Sequence, residues 1–248
     1  MIDLLSATLP RAFKTKRFIF SILIMISIPS LIMYVAASMD DDKLYMDSFP
    51  FFMNTSLPMI IAITGGLFIS KDYTDNTIRN KIIVGHSRTS IYMANWVTSV
   101  IMTLALFAVY QLFIFAVGGS IFGFSDAYEL DYFFKELLLT LCPLITFTSI
   151  TVFICMTVKG TSGTVLSFMF YYALMMFDAF SVFITNEDLL HFIYNCLLTS
   201  QLEELQSSVY EGMASDYTNF TLYPISSLIV ILISTIGGIA IFRKTDIK

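Results

Sequence analysis

"MANWVTSVIMTLALFAVYQLFIFAV", residues Met93 to Val117, runs for 25 residues without a charged side chain. About 20 apolar residues in helical form cross the hydrocarbon core of a bilayer, so this stretch reads as a membrane span. Five other runs are long enough for the same reading: Phe18–Ala37, Phe51–Ile69, Leu137–Val158, Thr164–Thr185 and Pro224–Phe242. The chain as a whole agrees. It is 56% hydrophobic and 13% charged, with mean hydropathy +0.77. A soluble domain of 248 residues needs more polar surface than that.

The first run ends in "YVAAS" (residues 34–38), which resembles a signal-peptide cleavage site. Its apolar part exceeds the roughly 7–15 residues of a signal core, so it reads as a retained span. Pro29 and Pro58 fall within spans, where packed membrane helices tolerate proline with a kink. Cys142, Cys155 and Cys196 are odd in number and lack paired spacing, which fits neither a disulfide framework nor a zinc site.

Charge sets the orientation. Arg11, Lys14, Lys16 and Arg17 precede the first span, and Lys71, Arg79, Lys81 and Arg88 separate the second from the third. Lys159 lies between the fourth and fifth spans, and Arg243, Lys244 and Lys248 follow the sixth. Twelve of the 14 basic residues therefore share one side, leaving Lys43 and Lys135 on the other with 14 of the 19 acids. The positive-inside rule then puts both termini in the cytoplasm of a multi-pass protein of the cell's inner (plasma) membrane.

The expected fold is all-α and integral to the membrane: one domain, residues 1–248, with six transmembrane helices. Before the first span, Leu5, Leu9 and Phe13 recur every four residues ahead of a basic cluster, the pattern of an amphipathic elbow on the inner interface. Pro10 argues against a single unbroken helix there. A frayed basic terminus that only sets orientation is the plainer reading. The outer loop 186–223 carries Leu190, Ile193 and Leu197 on one helical face, continued by Leu202 and Leu205. It predicts one or two short helices at the outer end of the bundle.

Between the second and third spans lies "DYTDNTIRNKIIVGHSR", Asp72 to Arg88. Asp75 suits an N-cap and Gly85 the position just past a helix end, so the spacing predicts a short helix over 75–84. Ile78, Ile82 and Ile83 give it a narrow apolar stripe, with Arg79 and Lys81 pointing elsewhere. Such a helix spans only about 15 Å and is marginal in water, so it must pack on the inner leaflet, on the chain's own spans or on a partner.

The order of elements, together with Asp75, Asn76, Thr77, Ile78, Arg79, Ser87 and Arg88, resembles the permease subunit of an ABC transporter of the type-2 exporter superfamily. Asn76 departs from the Gly more usual in that motif. The resemblance implies that 75–84 is the coupling helix, which docks in a groove of a separate ATPase subunit. Asp75, Thr77, Ile78, Arg79, Lys81, Ile82, Ile83 and Arg88 are then the coupling residues. It also implies a second permease copy or paralogue as partner, with Mg-ATP bound by the ATPase and no cofactor on this chain. The lipid bilayer is the remaining partner; no nucleic acid is expected. The plain reading is a positive-inside loop.

The sequence holds no G-x-x-x-x-G-K-[ST] loop; "KGTSG" at 159–163 has its lysine before the glycine. By that route the chain hydrolyses no ATP, and the expectation is a transport subunit rather than an enzyme. Asp178 is the one acid well inside a span, a costly position that favours contact with protein or water. With Tyr171, Tyr172 and Phe177 it is a candidate for lining a transport path, and helix packing is the alternative for all four. Glu187, Asp188 and His191 have helical spacing, but with two histidines in the chain a solvated face suits them better than a metal. Peptide, bacteriocin or drug export is the preferred substrate class. An ion-coupled secondary transporter would want more intramembrane ionisable groups and inverted repeats. A non-transporting scaffold or sensor component is a third class.

Overall fold

The structure, a computed structural model, describes residues 2–38, 56–123, 130–181, 183–184, 187–210 and 221–245. Every element is helical: α1 (Ile2–Phe13), α2 (Lys16–Ser38), α3 (Leu57–Thr74), α4 (Thr77–Ile83), α5 (Arg88–Phe113), a π-helical turn (Ile114–Gly118) and α6 (Gly119–Phe122). They are followed by α7 (Leu130–Val158), α8 (Gly160–Ser181), α9 (Glu187–Cys196), α10 (Leu198–Tyr210) and α11 (Leu222–Lys244).

Among the described residues, four helical stretches are long and apolar enough to cross a membrane: Lys16–Ser38, Arg88–Phe122, Leu137–Val158 and Leu222–Lys244. The other two expected spans form α3 and α8, of 18 and 22 residues, or about 27 and 33 Å. Residues 51–55 of the second expected span lie outside the described residues. Helix α3 packs against α2, α5, α7 and α8 and buries Ile61, Ala62, Phe68 and Ile69 together with Thr64, Ser70 and Asp72. A helix enclosed by protein can carry such groups where a neighbouring helix supplies a partner, as Ser21 does for Thr64 and Arg11 for Asp72.

Several ends differ from the apolar runs because local capping, not hydropathy, sets them. Helix α5 starts at Arg88 rather than Met93, since Ser87 accepts a hydrogen bond from the Ser90 amide at 3.2 Å. Helix α8 starts at Gly160 rather than Thr164, where Lys159 and Gly160 turn the chain with φ of 62° and 64°. Helix α7 begins at Leu130, before the apolar run. Pro10 does not break α1: only its missing amide is lost, and it lies exposed in the last turn. Helix α1 packs on α5, burying Leu4, Thr8 and Ala12, which leaves Leu5, Leu9 and Phe13 half-buried beside that face.

Small polar side chains join the helices inside. Ser21 meets Thr64 at 2.6 Å, Thr103 meets Thr148 at 2.8 Å, and the Trp96 indole donates to Ser149 at 2.8 Å. Close approach is demanded at Gly66, where an added Cβ would lie 2.8 Å from Thr164 Cγ2 and 3.1 Å from its Cα. At the end of the bundle away from α4, α9 and α10 form a cap. Leu198 joins Ala62, Phe147 and Tyr171, and Leu205 packs with Leu139 and Tyr223. Gln201 donates to the Asn195 carbonyl at 2.7 Å and to Ser226 at 3.0 Å, tying α9 and α10 to α11. The outer loop thus forms two short helices packed on the bundle; the side chains of Leu190, Glu187, Asp188 and His191 lie outside the described residues.

Candidate functional site at the α4 end of the bundle

The short helix expected over 75–84 is present as Thr77–Ile83, with different capping. Asp75 is not its N-cap. It is exposed and closes α3, its amide donating to the Lys71 carbonyl at 2.9 Å. Asn76 takes the N-cap position in the left-handed region, φ 54°, ψ 20°. A reversal this tight between two helices selects glycine or asparagine, which explains why the departure from Gly is tolerated. At the other end, Gly85 (φ +99°) donates to the Ile82 carbonyl at 3.0 Å and His86 to the Lys81 carbonyl at 3.1 Å. This pair of bonds is a Schellman closure, as Gly85 predicts.

Of the three candidate docking surfaces for this helix, the bundle itself takes one face. Ile78 is buried in the main core and Ile82 packs partly against it. Ile83 and Val84 point away from the bundle, 71% and 77% exposed, beside exposed Arg79 and Asn80. The apolar stripe is therefore split. Two isoleucines anchor the helix, and a separate Ile83–Val84 tip is free of the core.

An ion cluster that the sequence reading missed fixes the helix from the side. The carboxylate of Asp72, buried in the last turn of α3, pairs with Arg11 of α1 and with Lys81 of α4, the latter at 3.2 Å. Arg11 also donates to Thr77 Oγ1 at 3.4 Å and lies 5.7 Å from the Phe68 ring centre. One acid thus holds three elements, and its enclosure strengthens each attraction relative to water. A signal was present: only five of the 19 acids fall outside the outer side, and Asp72 is one of them, set among bases.

Three further contacts lock the ends of the long helices around this cluster. The Tyr73 hydroxyl donates to the Met156 carbonyl at 2.8 Å, joining α3 to the end of α7, and Arg17 donates to the Leu67 carbonyl at 2.8 Å, joining α2 to α3. Arg88, assigned to coupling by resemblance, instead turns toward α11. Its guanidinium donates to the carbonyls of Phe242 and Arg243, each at 3.1 Å, and to that of Thr245. A cation on the last carbonyls of a helix complements the negative end of its dipole. The start of α2, the ends of α3, α7 and α11, and all of α1 and α4 therefore share one end of the molecule.

The three described path candidates do not converge. Tyr171 is buried at the contact with Phe147, ring centres 5.3 Å apart. Tyr172 and Phe177 are 56% and 50% exposed on the outer surface of the bundle. Asp178 lies in α8, and its side chain is outside the described residues. Helical phase, which decides inward from outward, separates Tyr171 from Tyr172 and Phe177. Among the described residues no cluster of His, Cys, Asp and Glu is arranged to hold a metal.

No curated protein matches the chain. A family model described as "Protein of unknown function (DUF2705)" matches residues 18–248, nearly the whole chain, and the protein belongs to that family.

Proposed function

We propose that this protein is the membrane-spanning subunit of an ATP-driven exporter, similar to the permeases of the type-2 ABC superfamily. It would have six spans and both termini in the cytoplasm of the plasma membrane. It would pair with a second copy or a paralogue and receive mechanical work from separate ATPase subunits that hold Mg-ATP. The preferred substrate class is a peptide, bacteriocin or drug moved outward.

The observation that carries this reading is α4: a helix of 7 residues, closed by backbone bonds at Gly85 and His86 and held by a buried ion cluster, with an apolar tip left outside the core. A slack loop absorbs a push by bending, whereas a helix braced to α1 and α3 moves them with it. Charge agrees, since twelve of the 14 bases lie on the side of α4 by the span assignment. The basic tip, with Arg79 beside Ile83 and Val84, suits a protein groove that is apolar within and acidic at its rim.

Copurification tests the proposal. The tagged full-length chain, extracted from its native host in mild detergent, is expected to bring down a nucleotide-hydrolysing subunit whose ATPase activity depends on the association. Transport by the purified chain that follows an ion gradient with no such subunit present would overturn it.

A further inference from the structure

Where α3, α5 and α7 meet, a cavity of about 10 Å³ is bordered by Met102 and by the hydroxyl residues Thr64, Ser99, Thr103, Thr148 and Thr151. All five hydroxyl residues are buried. Three of them are occupied: Thr64 bonds Ser21 and donates to the Ile60 carbonyl, and Thr103 bonds Thr148, which donates to the Leu144 carbonyl. The other two, Ser99 Oγ and Thr151 Oγ1, have no hydrogen-bond partner among the described residues. Two orphaned hydroxyls from different helices thus border the same space.

An isolated buried hydroxyl costs about 1–3 kcal/mol, and two at one place call for a shared partner. The volume matches roughly one water, which needs about 10–15 Å³ of this measure and two to four polar contacts. A dehydrated cation fits the chemistry less well, since the bordering side chains include no carboxylate to offset its charge. We propose that this cavity is a binding site for a single water molecule, which accepts from Ser99 and Thr151 and donates to the oxygen of Thr103. On α3 the site borders Thr64, eight residues before Asp72 and so about 12 Å along the helix from that cluster. An exchangeable bridge there lets α5 shift against α7 without stranding a polar group.

X-ray radiolytic footprinting of the full-length protein in detergent tests this, because hydroxyl radicals formed from a bound water oxidise the side chain beside it. Met102 is expected to oxidise several-fold faster than Met25 and Met156, which are as deeply buried but do not border the cavity. In Ser99→Ala/Thr151→Val that advantage is expected to vanish while Met25 and Met156 are unchanged. If the double variant fails to fold, Thr151→Val alone, which keeps the side-chain shape, is read in its place. Equal oxidation of the three methionines in the wild type, or a Met102 rate unaffected by the substitutions, overturns the proposal.

Discussion

Lys81 Nζ lies 3.2 Å from Asp72 Oδ2, so the short helix α4 is bonded to the helix that precedes it as well as continuous with it. Because Arg11 of α1 shares the same carboxylate, three elements depend on one buried charge. Removing that charge leaves two cations near each other, of which Lys81 is largely cut off from water.

Asp72→Asn is therefore expected to destabilise the protein by about 3 kcal/mol, at the low end for breaking a buried pair because Arg11 stays partly solvated. In detergent the melting temperature should fall by roughly 6–12 °C. Adding Lys81→Met should recover part of the loss, since it removes one of the stranded cations. A fall no larger than that of exposed Asp75→Asn would refute the bracing role.

Arg88→Ala should loosen the last turn of α11, whose carbonyls at Phe242, Arg243 and Thr245 lose their donor. A loss of about 1–2 kcal/mol raises amide exchange near Thr245 by roughly tenfold. The opposite end of α11, near Tyr223, should exchange as before. Arg88→Lys should restore the effect only in part, because one ammonium does not reproduce the spread of the guanidinium.

Adjacent glycines give a matched pair. At Gly238 an added Cβ would sit 2.6 Å from Tyr92 Cζ, whereas at Gly237 its nearest neighbour is Phe153 Cε2 at 3.9 Å. Gly238→Ala forces α5 and α11 apart at a cost of about 1–3 kcal/mol, and Gly237→Ala is expected to be nearly neutral. Thermal unfolding of the two single variants checks this directly.

The two faces of α4 should separate folding from docking. Ile78→Asp buries a charge in the main core and is expected to prevent stable folding. Ile83→Asp/Val84→Asp changes exposed side chains, so it should keep the wild-type melting temperature while abolishing capture of an ATPase subunit. Retained capture by that well-folded double variant would count against α4 as the docking element.

Much of the fold was legible because its signals are local. Long uncharged runs marked the apolar helices, and Gly85 marked the end of α4 through its own backbone bond, whereas the start of α5 at Ser87 lay outside the apolar run that marked that helix. Misreadings arose where two local rules compete. Asp75 and Asn76 both suit a cap, and the tight reversal after α3 decided for the residue that accepts a positive φ. Pro10 reads as a breaker, yet a helix end that packs on α5 through Leu4, Thr8 and Ala12 outweighs one missing bond.

The sequence by itself determined that the chain is helical, apolar and charged asymmetrically, since composition and spacing act residue by residue. Only tertiary structure decided that Asp72 binds Arg11, that Arg88 closes α11, and that Ile78 is an anchor while Ile83 is free. These partners lie 61 and 154 residues apart along the chain. A charge or an apolar side chain announces that it needs a counterpart; which one it meets depends on how the helices pack.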